Sequence, residues 1–126
     1  MSSPLPSRQT MTVEGLPAPL RVEVAWTAAE QERGLMGRRE VPAGTGMLFP
    51  FSPPAAQSFW MRDTLVPLDI AWIRGGRVVG TTRMAPCPDL GPRCPTYPSP
   101  GPVDAALEVG AGGLEGVRPG AKVHLG

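Results

Sequence analysis

The segment 46–73 combines most of the aromatic residues of this chain with a few charges. Its only charged residues are Arg62, Asp63 and Asp69, and its aromatic residues are Phe49, Phe51, Phe59, Trp60 and Trp72. A ligand site needs aromatic or apolar surface beside a few fixed polar groups, but a sheet core with an internal ion pair has the same composition. The segment therefore predicts where a site lies and leaves its chemistry open.

A small polar ligand is the first function that these residues suggest. A sugar or a peptide end would stack on an aromatic ring and form hydrogen bonds with an arginine and with carboxylates. This hypothesis describes a non-enzymatic binding module. Its candidate ligand-binding residues are Trp60, Arg62, Asp63, Asp69, Tyr97 and Glu108.

Two other classes of function remain open. Asp69 and Glu108 are weak candidates for the acid–base pair of a hydrolase, which requires both carboxyls in one cavity, about 5–9.5 Å apart, and one pKa raised by burial. The common motifs G-x-S-x-G, G-x-x-x-x-G-K-[ST] and H-E-x-x-H do not occur in the sequence. The third class is a structural domain that binds a partner through a sheet edge or an apolar patch.

The methionines and the single histidine do not predict a metal site. Thioethers suit Cu(I), but the methionines lack close M-x-M or M-x-x-M spacing and lie in apolar runs, which is typical of core residues. His124 lies in an alternating terminal segment and is expected either at the surface or with its hydrogen bonds satisfied within the fold. We expect neither a metal nor a cofactor. The methionines concerned are Met36, Met47, Met61 and Met84.

Cys87 and Cys94 are the only cysteines, and they lie in a loop rich in Pro and Gly. Their spacing fits neither a zinc ribbon nor a C-x-x-C redox motif. We expect a disulfide, worth about 2.5 kcal/mol in the chain-entropy account, with two thiols as the alternative. A disulfide favours a periplasmic or secreted protein, which fits this chain if a signal was removed, since the first residues do not resemble one. Otherwise the expected location is cytoplasmic.

Composition narrows the class of protein. The 126 residues suit one domain, and 41% apolar and 18% charged residues are typical of a globular chain. The net charge of +1 comes without a basic run, which argues against nucleic acid or anionic lipid as a partner. No apolar stretch approaches the roughly 18 residues of a membrane span. The oligomeric state stays open.

The elements that must position the candidate residues are short strands. Alternation in 20–26 predicts a strand, and the capping box Thr27–Glu30 begins a short helix that ends near Met36. The turn Gly75-Gly76 predicts a hairpin. Further strands are expected at 47–51, 59–62, 68–74, 78–82, 104–109 and 122–125. We predict a loose leader, 1–10, and one domain, 11–126, that is all-β with one short helix, as a jelly-roll-like β-sandwich or a partly closed barrel.

Asp69 is expected to accept hydrogen bonds inside this fold. Side chains alternate along a strand, so Asp69 shares one face with Ala71 and Ile73 and is at least partly buried. A buried carboxylate must be paired. We expect at least two hydrogen bonds, a lowered pKa, and a loss of about 2–4 kcal/mol for Asp69→Ala. The expected donors are backbone N–H groups and the arginines Arg62, Arg38 and Arg39.

Four segments resemble the family called domain of unknown function 192. They are ERGLMGRREVPAGTGMLFPF, FWMRDTLVPLDIAWI, TYPSPGPVDAALEVGAG and GVRPGAKV, within about residues 20–125. The resemblance implies a single all-β, jelly-roll-like domain, often made with a secretion signal, and no established activity. The family motif falls on Gly34, Leu35, Met36, Gly46, Met47, Leu48, Phe59, Trp60, Met61, Thr64, Pro67, Leu68, Asp69, Tyr97, Leu107 and Glu108.

One motif position departs from the family. Asp63 stands where the family usually has Asn, so an amide that donates and accepts is replaced by a carboxylate that only accepts. If the family side chain is a structural donor, a neighbour such as Arg62 must compensate for it.

Overall fold

The computed structural model describes residues 7–88 and 91–126. The strands are β1 (Ser7–Val13), β2 (Leu20–Val24), β3 (Thr45–Trp60), β4 (Leu68–Arg74), β5 (Arg77–Met84), β6 (Thr96–Gly110) and β7 (Val123–Leu125). The helix α1 (Ala28–Arg33) lies between β2 and β3, and a 3-10 turn, Gly91–Arg93, precedes β6. The prediction of an all-β domain with one short helix is confirmed.

All seven strands form a single curled sheet in the order β5-β4-β6-β3-β2-β1-β7. Every neighbouring pair is antiparallel except β2 and β3, which are parallel and connected through α1. The two edges of the sheet meet, because Val78 N–H donates to Ala121 O at 2.8 Å and Val123 N–H donates to Gly76 O at 2.9 Å. Of the two predicted architectures, the partly closed barrel is correct and a sandwich of two separate sheets is not.

Prolines and bulges explain why two long strands were predicted only in part. The predicted strands 47–51 and 59–62 are one strand, β3, whose register against β6 shifts between Pro50 and Ala55 and between Ala56 and Ser58. These irregularities interrupt the alternation on which the prediction depended. The first half of β6, with its repeated prolines, was hidden for the same reason, so only 104–109 was predicted.

The beginning of the described chain also differs from the prediction. Residues 7–10 were assigned to the loose leader, 1–10, but they belong to β1 and pair with β2. Met11 and Val13 are the buried residues of that strand, and its polar first half gave no apolar alternation to recognise. Residues 1–6 of the predicted leader lie outside the described residues.

The helix begins as predicted and ends earlier. Thr27 accepts a hydrogen bond from Glu30 N–H at 3.0 Å, and the Glu30 carboxylate accepts one from Thr27 N–H at 2.9 Å, which completes the capping box. α1 stops at Arg33 because Gly34 adopts φ 47° and ψ −129°. This backbone conformation is readily accessible only to glycine, so the helix does not reach Met36.

Both faces of the sheet are covered by apolar side chains. Leu68, Ile70 and Trp72 of β4 belong to one buried cluster, while Ala71 and Ile73 belong to the other, as their alternation predicted. The first of these clusters also contains Leu35, Met47, Phe49, Met61, Met84, Cys87, Cys94 and Ala106. Three of the four methionines are therefore core residues, and His124 is exposed.

No helix in the described ranges has the length and apolarity required to cross a bilayer.

Candidate functional site

A cavity of about 230 Å³ lies between α1, β3 and β6, on the sheet face that carries Trp72. We call it the Glu108 cavity, because this glutamate is its one buried charged group. The end of α1 and the following residues form one wall and β3 forms an aromatic wall. The lining residues are Gln31, Glu32, Arg33, Gly34, Leu35, Met36, Phe49, Phe51, Gln57, Ser58, Phe59, Trp60, Thr64 and Glu108.

Glu108 lies among apolar neighbours on the two adjacent strands. The strand register places it beside Met47 on β3 and Ile70 on β4, and only 4% of the residue is exposed. Within residues 7–88 and 91–126, no hydrogen bond or ion pair compensates its burial, which raises the pKa of the Glu108 carboxyl to about 8. Burial disfavours the charged form of a carboxyl, so the group retains its proton at neutral pH.

The Glu108 carboxyl opens onto the cavity. Every fully enclosed side-chain N or O atom in the described part of the chain has a hydrogen-bond partner, so an unpartnered carboxyl must still reach the cavity. Gly34 leaves that space free. A Cβ atom at Gly34 would lie 3.7 Å from Glu108 Oε1 and 3.5 Å from the ring of Phe49.

The aromatic wall is a set of rings packed edge to face. The centroid of the Phe59 ring lies 5.0 Å from that of Phe49, 6.1 Å from that of Phe51 and 5.5 Å from that of Trp72. Trp60 stands at the rim, with 37% of its surface exposed. The Arg62 guanidinium carbon lies 5.3 Å from the centroid of the Trp60 ring, which is a cation–π contact.

The structure brings together only some of the candidate ligand-binding residues. Trp60 and Glu108 line the cavity, and Arg62 contacts Trp60. Tyr97 is half-buried beside Phe59 in the β3–β6 pair, and its hydroxyl oxygen accepts a hydrogen bond from Ala85 N–H at 3.1 Å. Tyr97 therefore supports the strand from outside the cavity lining.

Asp63 has a backbone role that explains the residue preference at this position. It adopts φ 55°, in the left-handed region, and its side chain is 59% exposed. Asn and Asp tolerate this conformation better than other side chains except glycine. The substitution of Asp for the usual Asn therefore needs no compensating donor, and the Arg62 Nε atom lies 3.8 Å from Asp63 Oδ2 in an exposed pair.

Asp69 is held as predicted, but by a different arginine. Arg83 donates to both carboxylate oxygens, at 2.6 and 3.1 Å, and Gly112 N–H donates at 2.8 Å. Burial of the Asp69 carboxyl raises its pKa, but the hydrogen bonds from Arg83 and Gly112 together lower it by more, so the pKa lies below its ordinary value. The three hydrogen bonds and the lowered pKa are confirmed.

The prediction that the arginine partner of Asp69 would be Arg62, Arg38 or Arg39 is wrong. The register of β4 against β5 determines which arginine lies beside Asp69. Counting back from the hairpin turn would place Thr82 opposite Asp69. A bulge between Trp72 and Ile73 shifts the register by one residue, so Asp69 faces Arg83 instead. Arg38 is occupied elsewhere, since it forms a 2.6 Å ion pair with Glu23.

Asp69 and Glu108 do not form an acid–base pair. Asp69 is opposite Val109, whereas Glu108 is opposite Ile70, so the two carboxyls point to opposite faces of the sheet. Asp69 lines a separate surface depression with Arg83 that has no lining residue in common with the Glu108 cavity. This geometry contradicts the hydrolase hypothesis in the form in which the sequence suggested it.

Replacing Asp69 with alanine is expected to destabilise the protein by about 1–2 kcal/mol at neutral pH. The expected loss is smaller than the 2–4 kcal/mol predicted from sequence, because Arg83 is 65% exposed and Gly112 is exposed. Both donors can therefore turn to water. Urea unfolding of Asp69→Ala and of the control Glu115→Ala, an exposed carboxylate nearby, measures the difference.

The pH dependence provides the second test for Asp69. Its pKa is lowered by folding, so its stabilisation is present above the unfolded pKa and disappears as the pH falls through the folded pKa. The two unfolding curves should converge in acid. A loss below about 0.5 kcal/mol at neutral pH would contradict a structural role, because exposed substitutions have effects of that size.

The disulfide Cys87–Cys94 is present, as predicted, with its Cα atoms 5.9 Å apart. Both cysteines are buried in the cluster below the aromatic wall. Cys87 also joins the segment after Trp60, because its N–H donates to Thr64 O and its carbonyl accepts from Asp63 N–H. The disulfide loop therefore supports the strand end that carries the cavity rim.

In the described ranges, no group of three or more His, Cys, Asp or Glu residues is placed to hold a metal ion.

Comparison with known proteins identifies relatives without a characterised function. Residues 9–125 match the profile of the family DUF192, described as "Uncharacterized ACR". A proposed transcription regulator from Sinorhizobium meliloti 1021 is 27% identical, with a TM-score of 0.88 and 98% of each chain covered. A protein of unknown function from Novosphingobium aromaticivorans DSM 12444 is 36% identical, with a TM-score of 0.81 over 93% of this chain and 84% of its own. No curated protein matches this chain in sequence.

Proposed function

The chain belongs to DUF192, a family without an assigned activity, and we propose that it is a non-enzymatic module that binds a small polar ligand in the Glu108 cavity. The observation that carries this proposal is the Glu108 carboxyl, which is buried, has no partner in the described chain and opens onto a cavity with aromatic walls. A sugar or a peptide end fits this combination of surfaces.

The energetics of Glu108 support a functional role. An unpaired buried carboxyl lowers stability, and residues that do so are found most often where a site requires them. An apolar residue at the same position would fill the space without this cost. The cavity, at about 230 Å³, is smaller than the usual range of about 300–1,000 Å³ for pockets that hold drug-sized ligands. The ligand is therefore small.

The proposed site is narrower than the set of residues that the sequence suggested. Trp60 supplies exposed aromatic surface at the rim, Glu108 receives the polar group of the ligand, and Arg62 fixes the orientation of the Trp60 ring. Asp69 and Tyr97 lie outside the cavity lining and serve the fold.

We further propose a periplasmic or secreted location, which the disulfide supports. Transcription regulation, proposed for the Sinorhizobium meliloti relative, would require contact with nucleic acid or with a second protein. The net charge of +1 without a basic run does not favour direct contact with nucleic acid.

A thermal-shift screen tests the binding function. We expect the melting temperature to rise with at least one compound among sugars, dipeptides and amino acids, since a ligand at about a hundred times its Kd adds about 2.7 kcal/mol of stability. Trp60→Ala should remove the shift, and Trp26→Ala, which deletes an exposed tryptophan outside the cavity lining, should retain it. The absence of any shift, or an equal shift in Trp60→Ala, would contradict the proposal.

A further inference from the structure

We infer that the ligand of the Glu108 cavity is a small organic cation, a protonated primary amine, whose N–H groups donate to Glu108 while its carbon chain lies against the phenylalanine rings. This inference rests on the proposed function and adds the chemical class of the ligand. It selects the amino end of a peptide or a free amine over a neutral sugar.

The side-chain donors of Gln31 and Thr64, two polar residues of the cavity lining, are already engaged within the protein. Both amide hydrogens of Gln31 are engaged, since Nε2 donates to Ala25 O at 3.1 Å and to Pro50 O at 2.7 Å. The Thr64 hydroxyl donates to Arg62 O at 3.3 Å. Glu108 offers the acceptor oxygens of a carboxylate. A ligand that brings donors therefore suits the Glu108 carboxylate, and an ammonium group brings three N–H donors and no acceptor.

The aromatic wall suits the same ligand. The rings of Phe49, Phe51 and Phe59 all line the cavity. Aromatic faces attract a cation, and their apolar surface accommodates the carbon atoms next to the ammonium group. A carboxylate beside aromatic rings thus provides both parts of an ammonium site. An anionic ligand would gain no such pairing, and it would be repelled once Glu108 is ionised.

The other charged groups around the cavity do not reverse this preference. Glu32 and Arg33, at the end of α1, are exposed and of opposite sign. Arg62, after β3, is exposed and lies against Trp60. The strand neighbours of Glu108 on β3 and β4 are Met47 and Ile70, which carry no charge. The carboxyl of Glu108 therefore determines which ligand charge the buried part of the cavity favours.

Binding of a cation by Glu108 must be linked to pH. The empty site holds a protonated carboxyl, because burial raises the pKa of Glu108 to about 8. An ammonium ligand pairs with the carboxylate, so its binding releases that proton below about pH 8. The affinity should consequently rise by about tenfold per pH unit well below pH 8 and by less as that pH is approached. A neutral ligand that accepts a hydrogen bond from the protonated carboxyl would instead bind less tightly as the pH rises towards and above 8.

The experiment uses n-propylamine as the cation, 1-propanol as its neutral counterpart and propionate as the anion, at constant ionic strength. Calorimetric titration of the intact protein at about pH 6, 7 and 8 is expected to show binding of propylamine alone, about ninefold tighter at pH 7 than at pH 6 and about fivefold tighter again at pH 8. Glu108→Gln, which keeps the side-chain shape, should abolish binding, whereas the control Glu115→Gln, at an exposed position outside the cavity lining, should retain it. Circular dichroism of both variants checks that they are folded.

The outcomes separate this inference from the proposed function. Propylamine that does not bind, binds equally at all three pH values or still binds Glu108→Gln overturns the inference. If a sugar nevertheless raises the melting temperature and the effect needs Trp60, the proposed function stands and only the class of ligand is wrong. Binding of no compound in either experiment overturns both.

Discussion

At neutral pH, Glu108→Gln is expected to be more stable than the wild type by about 3 kcal/mol beyond any difference between the two proteins in acid. Glutamine has nearly the same shape as protonated glutamate, so the packing against Met47 and Ile70 is retained. What changes is the cost of ionisation. In the unfolded chain Glu108 ionises near its ordinary pKa of 4.5, whereas in the folded protein burial raises that pKa to about 8.

The direction of the pH dependence follows from this raised pKa. Below the unfolded value of 4.5 both states are protonated, and the wild-type protein keeps its full stability with respect to this group. As the pH rises towards about 8, the unfolded state releases the proton and the folded state retains it, so the stability of the wild type falls. Between these two pKa values, ionisation of Glu108 in the unfolded state lowers the free energy of unfolding of the wild type by about 4–5 kcal/mol.

Chemical unfolding of the wild type and Glu108→Gln at about pH 4.5, 6 and 8 measures this effect. Other carboxylates contribute equally to both proteins, so the difference between them isolates Glu108. Glu115→Gln, at an exposed position, is the control and should follow the wild type. A difference that stays constant with pH would show that Glu108 is solvated or paired, which would remove the main support for the ammonium site.

Loss of the disulfide is expected to lower the free energy of unfolding by about 2.5 kcal/mol. Cys87 and Cys94 close a loop with a sequence separation of 7, so the cross-link removes conformational freedom from the unfolded chain. The paired cysteines are also buried below the aromatic wall. The double variant Cys87→Ala/Cys94→Ala should show this loss in urea, and so should the wild type under a reducing agent.

The reducing agent supplies its own control. It should shift the unfolding of the wild type and leave the double variant unchanged, because the variant has no disulfide to reduce. Equal midpoints for oxidised and reduced wild type would contradict a stabilising role. The binding function should weaken in the double variant as well, since Cys87 forms backbone hydrogen bonds with Asp63 and Thr64 next to the cavity rim.

Local signals predicted the elements that depend on nearby residues. The capping box at Thr27, the Gly75-Gly76 turn and the alternation in β4 each act over a few residues, and all three are present in the structure. The long strands β3 and β6 could not be delimited, because prolines and bulges interrupt their alternation while the hydrogen bonds of the partner strand maintain the pairing. Their full length depends on contacts distant in sequence.

The candidate site shows the same division. Sequence indicated Trp60 and Glu108 because of their residue types, but it placed Glu108 with Asp69 on the basis of charge alone. Only the register of β4 and β6 shows that their carboxyls lie on opposite faces. The role of Gly34 was visible only as a family motif position. The structure adds that its backbone conformation ends α1 beside Glu108, where a Cβ atom would lie 3.7 Å from the carboxyl oxygen.

The pairing of β1 with β7 affects how fast the protein can fold. Met11 of β1 is opposite Leu125 of β7, and Val123 of β7 donates to Gly76 O beside β5, so the two edges of the sheet meet through β7. Folding must therefore bring segments that are distant in sequence together before the sheet is complete. Such folds form slowly, on the order of milliseconds to seconds. Stopped-flow refolding of the protein would measure this time directly.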